Sequence, residues 1–118
     1  MLVNRLHPGF AVSGQIGVRD VAEIAAAGFA MLVNNRPDGE SADQPRSAEI
    51  EAEAVRLGLL YLHIPIEPGQ LLAPAAMRLA AVMRNSPGPI LAFCRTGARS
   101  TNLWKAAQQI GTANPSKV

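Results

Sequence analysis

Four short, unbroken apolar runs constrain the fold more than any other feature: Phe10-Ala11-Val12, Phe29-Ala30-Met31-Leu32-Val33, Leu59-Leu60-Tyr61-Leu62-His63-Ile64 and Ile90-Leu91-Ala92-Phe93. Between and after them lie segments of helical period, Val18 to Ala27, Ser47 to Leu57, Pro74 to Arg84, and Ala98 to about Ile110. Runs without polar alternation predict strands covered on both faces, and strict β-then-α alternation predicts parallel strands joined by helical crossovers. Gly28 and Gly58 each stand between a helix and the next strand, as C-terminal capping glycines do. Ser47 is expected to cap the second helix. The fold class is therefore α/β, a three-layer α/β/α sandwich around a central, mainly parallel four-stranded sheet.

With 118 residues there is room for one domain spanning 1–118. Apolar residues at 48% against 17% charged predict a packed core rather than disorder, and no apolar run reaches the roughly 18 residues that cross a bilayer. The start MLVNRLHPGF has a Pro-Gly turn where a signal peptide needs a continuous apolar stretch, so the expected location is cytoplasmic, with no membrane partner. A net charge of +2 without a Lys/Arg run or an aromatic-basic stripe predicts no nucleic-acid partner. No cofactor is expected, and His63 lacks a partner at ligand spacing, so no metal is expected either. Asp38 to Arg46 reads as a polar loop, and Thr112 to Val118 as a fraying tail.

Ligands of parallel sheets bind beyond the carboxyl ends of the strands, which directs attention to three loops. They are Asn34-Asn35-Arg36-Pro37-Asp38-Gly39-Glu40, then Pro65-Ile66-Glu67-Pro68-Gly69, then Cys94-Arg95-Thr96-Gly97-Ala98-Arg99-Ser100. Cys94 is the only cysteine, so it has no internal disulfide partner. A thiol in a tight turn ahead of a helix N-terminus is stabilised as thiolate by backbone N–H groups and the helix dipole. Arg99 adds a planar fork suited to an oxyanion. The loop thus reads as nucleophile plus anion cradle, with Cys94, Arg99 and Ser100 as catalytic candidates. Arg95, Thr96, Gly97 and Ala98 form the anion-binding turn, and Arg36 extends the positive site.

The pattern CxxGxRS after an apolar strand resembles the anion loops of protein tyrosine phosphatases and of rhodanese sulfurtransferases. Further stretches narrow the resemblance: Ser13-Gly14-Gln15, Val33 to Glu40, Gln44-Pro45, Leu57-Gly58-Leu59, His63-Ile64-Pro65 and Phe93 to Ser100. From about Leu6 to Gln109 the chain is similar to the beta-lactamase hydrolase-like protein, phosphatase-like domain family, whose members are also described as sulfur transferases or dual-specificity phosphatases. The resemblance implies a protein tyrosine phosphatase-like fold.

Phosphatases of that fold resemble one another in having five residues between cysteine and arginine and a histidine before the cysteine. This chain has four residues there, and Phe93 in place of histidine. Pro68 stands where many dual-specificity phosphatases have their aspartic acid, with Glu67 one position early and Asp38 on the neighbouring loop as the other candidate general acid. The short loop resembles rhodanese. The resemblance and the missing acid imply a sulfurtransferase in which Cys94 takes sulfane sulfur as a persulfide, from a small anion such as thiosulfate, and passes it to a thiol acceptor. In that mechanism Arg99 and the loop amides hold the departing sulfite, and the Ser100 hydroxyl donates to the thiolate. The alternative is phosphomonoester hydrolysis through a phosphocysteine at Cys94. A third reading is a non-catalytic anion-binding or sulfur-carrier domain serving a metallo-hydrolase-like partner.

Simpler roles compete at several positions. Arg36 and Asp38 are also suited to an ion pair closing the Pro37 turn. Glu67 reads equally as a solvated loop acid. His63 is expected to be a hydrogen-bonded structural histidine, and Asn34 and Asn35 to bond local backbone. Met77, Leu79, Val82 and Met83 fit a core stripe, and Arg95 is also placed to meet solvent or an acidic partner.

Overall fold

The computed structural model describes residues 1–112. In chain order the elements are β1 (Val3–His7), β2 (Phe10–Ser13), α1 (Asp20–Ala26), β3 (Met31–Asn34), α2 (Ser47–Arg56), β4 (Leu60–His63), α3 (Ala73–Asn85), β5 (Ile90–Phe93) and α4 (Ala98–Thr112). Thr112 closes α4, and the rest of the tail expected to fray lies outside the described residues.

The four strands expected from the apolar runs form as β2, β3, β4 and β5, all parallel, in the spatial order β2-β5-β3-β4. The sheet nonetheless has five strands. β1 pairs antiparallel with β2 across the Pro8-Gly9 turn, where His7 Nδ1 accepts the Gly9 N–H at 3.0 Å. Its apolar pattern is weak because it is an edge strand: only Val3 and Leu6 are even half-buried, and the register shifts between Arg5 and His7.

Side chains of each parallel strand alternate between two cores. Ala11, Leu32, Leu91 and Phe93 meet Val21 and Ile24 of α1 and Ile50 and Ala54 of α2 on one face. Phe10, Val12, Val33, Ile90 and Ala92 meet Leu79 of α3 and Leu103 and Ala107 of α4 on the other. This is a three-layer α/β/α arrangement around a mixed sheet. Gly28 and Gly58 adopt φ of 94° and 82° after α1 and α2, the left-handed conformation expected of capping glycines.

Two local expectations are corrected. Ser47 begins α2 but does not cap it with its side chain. Glu49 Oε1 instead accepts the Arg46 N–H at 2.9 Å, and Asp38 Oδ1 accepts the Ser47 N–H at 2.8 Å. Met77 is 63% exposed, whereas Leu79 is buried and Val82 and Met83 pack against the core, so the stripe on α3 is narrower than its sequence suggests.

The parallel register fixes where a site can lie. Ser13, Phe93, Asn34 and His63 stand side by side at the carboxyl ends of β2, β5, β3 and β4. Their following loops all leave at one edge, with the Cys94 loop in the middle.

Candidate active site

Cys94 follows β5 directly, is fully buried, and is tied to the neighbouring strand by its own N–H donating to Ser13 O at 3.4 Å. The chain then reverses through Gly97, whose φ of +97° a residue with a Cβ rarely adopts. That reversal turns the amides inward. The Gly97 N–H donates to Cys94 Sγ at 3.0 Å, and the Thr96 and Ser100 amides also stabilise the sulfur. Burial pushes the thiol up. The Ser100, Thr96 and Gly97 amides and the Ser100 hydroxyl outweigh it, so Cys94 ionises below the ordinary thiol value. On the outer side of the turn Gly14 touches its backbone: a Cβ at Gly14 would stand 3.0 Å from Arg95 O, the carbonyl that accepts the Gln15 N–H at 3.1 Å.

Arg99 is held by a partner that sequence reading did not single out. Its Nη1 donates to Glu40 Oε2 at 2.8 Å and Ile66 O at 2.9 Å, and its Nη2 donates to Glu40 Oε1 at 2.7 Å. The same carboxylate accepts from Arg36 Nε at 2.9 Å, while Arg36 Nη1 reaches Gln15 Oε1 at 3.1 Å. The Arg99 bonds, helped by Arg36 and opposed by burial, hold the Glu40 carboxyl down at about 2. Of the five guanidinium hydrogens of Arg99, Glu40 and Ile66 take three, all at the tip. The Nε–H and one Nη2–H remain, side by side along the edge, as a fork for an oxyanion.

Ser100, also fully buried, has one hydroxyl hydrogen and two acceptors in reach. It donates to Asn35 Oδ1 at 2.8 Å, and the same hydrogen, turned to Cys94, stabilises the thiolate. Asn35 has no freedom to turn away. Its Nδ2 donates to Ile64 O at 2.9 Å, its N–H to Phe93 O at 2.8 Å, and its carbonyl accepts the Ile66 N–H at 2.9 Å. The local backbone role expected of Asn35 is thus a long-range one, binding the ends of β3, β4 and β5 beneath the cradle. Asn34 does act locally, its Oδ1 accepting the Arg36 N–H at 2.9 Å.

The remaining candidates divide by position. Arg36 pairs with Glu40 and not with Asp38, because Asp38 is engaged at the start of α2. Glu67 sits on the β4–α3 loop, exposed, with its charge felt at Arg99. His63 is a hydrogen-bonded histidine, with Nε2 2.9 Å from Arg36 O. Thr96 and Ala98 complete the turn through the Ala98 N–H donating to Thr96 Oγ1 at 3.3 Å, and Arg95 projects into solvent. Among the described residues no group of three or more His, Cys, Asp or Glu side chains is placed to hold a metal ion. Among them, too, no helix is long and apolar enough to cross a membrane.

Residues 3–111 match the family model described as beta-lactamase hydrolase-like protein, phosphatase-like domain. The chain belongs to this family. A beta-lactamase hydrolase-like protein of Agrobacterium fabrum is 31% identical to the domain over 101 residues, 85% of this chain and 23% of the relative. The domain therefore spans about a quarter of that relative's length. A candidate phosphatase of Neisseria meningitidis superposes with a TM-score of 0.84 at 27% identity, over 98% of this chain and 81% of the other. Pseudomonas aeruginosa TpbA, solved with phosphotyrosine, shares the fold at a TM-score of 0.62 and 17% identity, over 86% of this chain and 58% of its own. The family and the protein tyrosine phosphatase-like fold expected from the motifs are thus borne out. These relatives favour the phosphatase alternative over the sulfur transfer that the short loop implied.

Proposed function

We propose that the domain is a cysteine-dependent phosphomonoester hydrolase. The observation that carries this reading is the pairing of a buried cysteine sulfur, ringed by inward amides that favour its ionisation, with an arginine whose Nε–Nη2 edge is left open by Glu40. Equatorial phosphoryl oxygens would take the amides of the Thr96 to Ser100 turn and that edge, donors aimed where negative charge gathers in the transition state. Cys94 Sγ attacks phosphorus, the ester P–O bond breaks with its electron pair staying on oxygen, and a phosphocysteine forms. The leaving alkoxide takes a proton from the Glu67 carboxyl. Water then attacks phosphorus, Glu67 carboxylate accepts its proton, and the S–P bond breaks to restore the thiolate.

Glu67 has this role because its charge is felt at Arg99, whereas Asp38 is engaged at the start of α2 and Glu40 is committed to Arg36 and Arg99. A carboxyl that two guanidinium groups hold at about 2 has no proton to give near neutrality. Ser100 stabilises the thiolate as it departs, by turning its hydrogen from Asn35 to Sγ. The test is turnover of an aryl phosphate by the wild type and by Cys94→Ser: activity in the first and none in the second is expected. A Cys94→Ser variant that retains turnover removes the nucleophile from the scheme.

One observation favours a second reading. Only four residues separate Cys94 from Arg99, a smaller cradle suited to a persulfide. Release of sulfite from thiosulfate in the presence of a thiol, with no aryl phosphate turnover, would move the assignment to sulfur transfer.

A further inference from the structure

A cavity of about 360 Å³ opens at the mouth of the cradle, lined by Arg36, Glu40, Ser41, Pro68, Arg95 and Arg99. Its charges do not balance: three arginines face one carboxylate, and that carboxylate is already satisfied by Arg36 and Arg99. Arg95 is the unmatched cation. Its side chain is exposed and forms no ion pair among the described residues. Its anchor, in contrast, is fixed. The Arg95 carbonyl accepts the Gln15 N–H at 3.1 Å, and Gly14 packs so close to that carbonyl that a Cβ would lie at 3.0 Å. The backbone that carries this unpaired guanidinium is thus fixed one residue from the nucleophile, and its side chain lines the same cavity as Arg99.

The same cavity has no aromatic side chain in its lining. The chain has three Phe, one Trp and one Tyr, and none lines it. Phe10 and Phe93 are buried in the core, Trp104 stacks on Phe10, Phe29 lies under the Arg5 guanidinium, and Tyr61 is bonded through its hydroxyl to Ser47 and Asn34. Charge is the dominant feature of this mouth.

Building on the hydrolase reading, we infer that the preferred substrate is a small phosphomonoester carrying a second phosphate group, which Arg95 binds at the mouth while the cradle holds the reacting one. Arg95 is then the specificity-determining residue. The planar fork of its guanidinium matches phosphate oxygens, and it lines the same cavity as Arg99 of the cradle.

Calorimetric titration of the resting protein with methylenebisphosphonate and with methylphosphonate tests this without turnover, using wild type and Arg95→Gln. The wild type should bind the bisphosphonate about tenfold more tightly, the worth of one partly solvated charge-assisted contact, and Arg95→Gln should bring the two affinities close to parity. Equal affinities in the wild type, or an unchanged preference in Arg95→Gln, overturn the inference and leave the hydrolase reading standing if methylphosphonate still protects Cys94 from alkylation. Binding of neither probe overturns both. A bisphosphonate preference in a protein that hydrolyses no phosphoester keeps the second anion site and removes the hydrolase.

Discussion

Glu40→Gln gives the most quantitative test of the arginine arrangement. The substitution keeps the shape of the side chain and removes the charge that Arg99 and Arg36 share. Holding a carboxyl at about 2 against an ordinary 4.5 corresponds to at most about 3 kcal/mol at 1.36 kcal/mol per unit. Glu40 is an exposed residue whose side chain is 21% exposed, so solvent screening brings the expected loss to about 1–2 kcal/mol. For a domain of this size that lowers the Tm by roughly 4–8 °C at pH 7. The sign with pH is fixed by the downward shift. Glu40 contributes its full stability above 4.5 and loses it as pH falls towards about 2, so the gap between wild type and variant closes over that window. Calorimetric scans of both proteins at pH 7, 4 and 2.5 measure it. A gap absent at pH 7, or one that persists unchanged at pH 2.5, would refute the reasoning. Because Glu40 also aims the Nε–Nη2 edge, kcat/KM for an aryl phosphate should fall by about two orders of magnitude, the scale of a misplaced catalytic contact.

Ser100→Ala removes one of the groups stabilising the thiolate and leaves Asn35 Oδ1 without its donor. The pH midpoint for alkylation of Cys94 should rise, with a stability loss of about 1–3 kcal/mol; an unmoved midpoint would place the hydroxyl with Asn35 alone. In Glu67→Gln the first step, read as single-turnover release of the alcohol, should slow by about 10²–10⁴ for alkyl phosphates and be spared for esters whose leaving group needs no proton, and equal slowing of that step in both would deny Glu67 the acid role.

What the sequence disclosed, and what it withheld, follows from the range of the interactions. The cradle was legible because it is built within seven residues: the turn needs Gly97, the thiolate needs the amides around it, and Arg99 and Ser100 come next on α4. β2 to β5 were legible because burial on both faces leaves unbroken apolar runs, whereas β1 sits at an exposed edge and carries Asn4 and Arg5. Glu40 was present only as a member of a loop, and Asn35 only as a residue suited to local backbone bonds. Their partners Arg99 and Ser100 lie 59 and 65 positions away, a pairing that only the shared carboxyl edge of the sheet creates. The competing ion pair between Arg36 and Asp38 does not form, for a related reason. Two nearby carboxylates compete for Arg36, and packing of Asp38 against the α2 N-terminus leaves Glu40.

The central claim is that Cys94 attacks phosphorus. In Glu67→Gln the second step lacks its base, so rapid-quench intact-mass measurement with an aryl phosphate of good leaving group should show a gain of one phosphoryl group, lost when Cys94→Ser is added. No phosphoryl gain on that protein, together with the gain of one sulfur atom on wild type after thiosulfate, would contradict it.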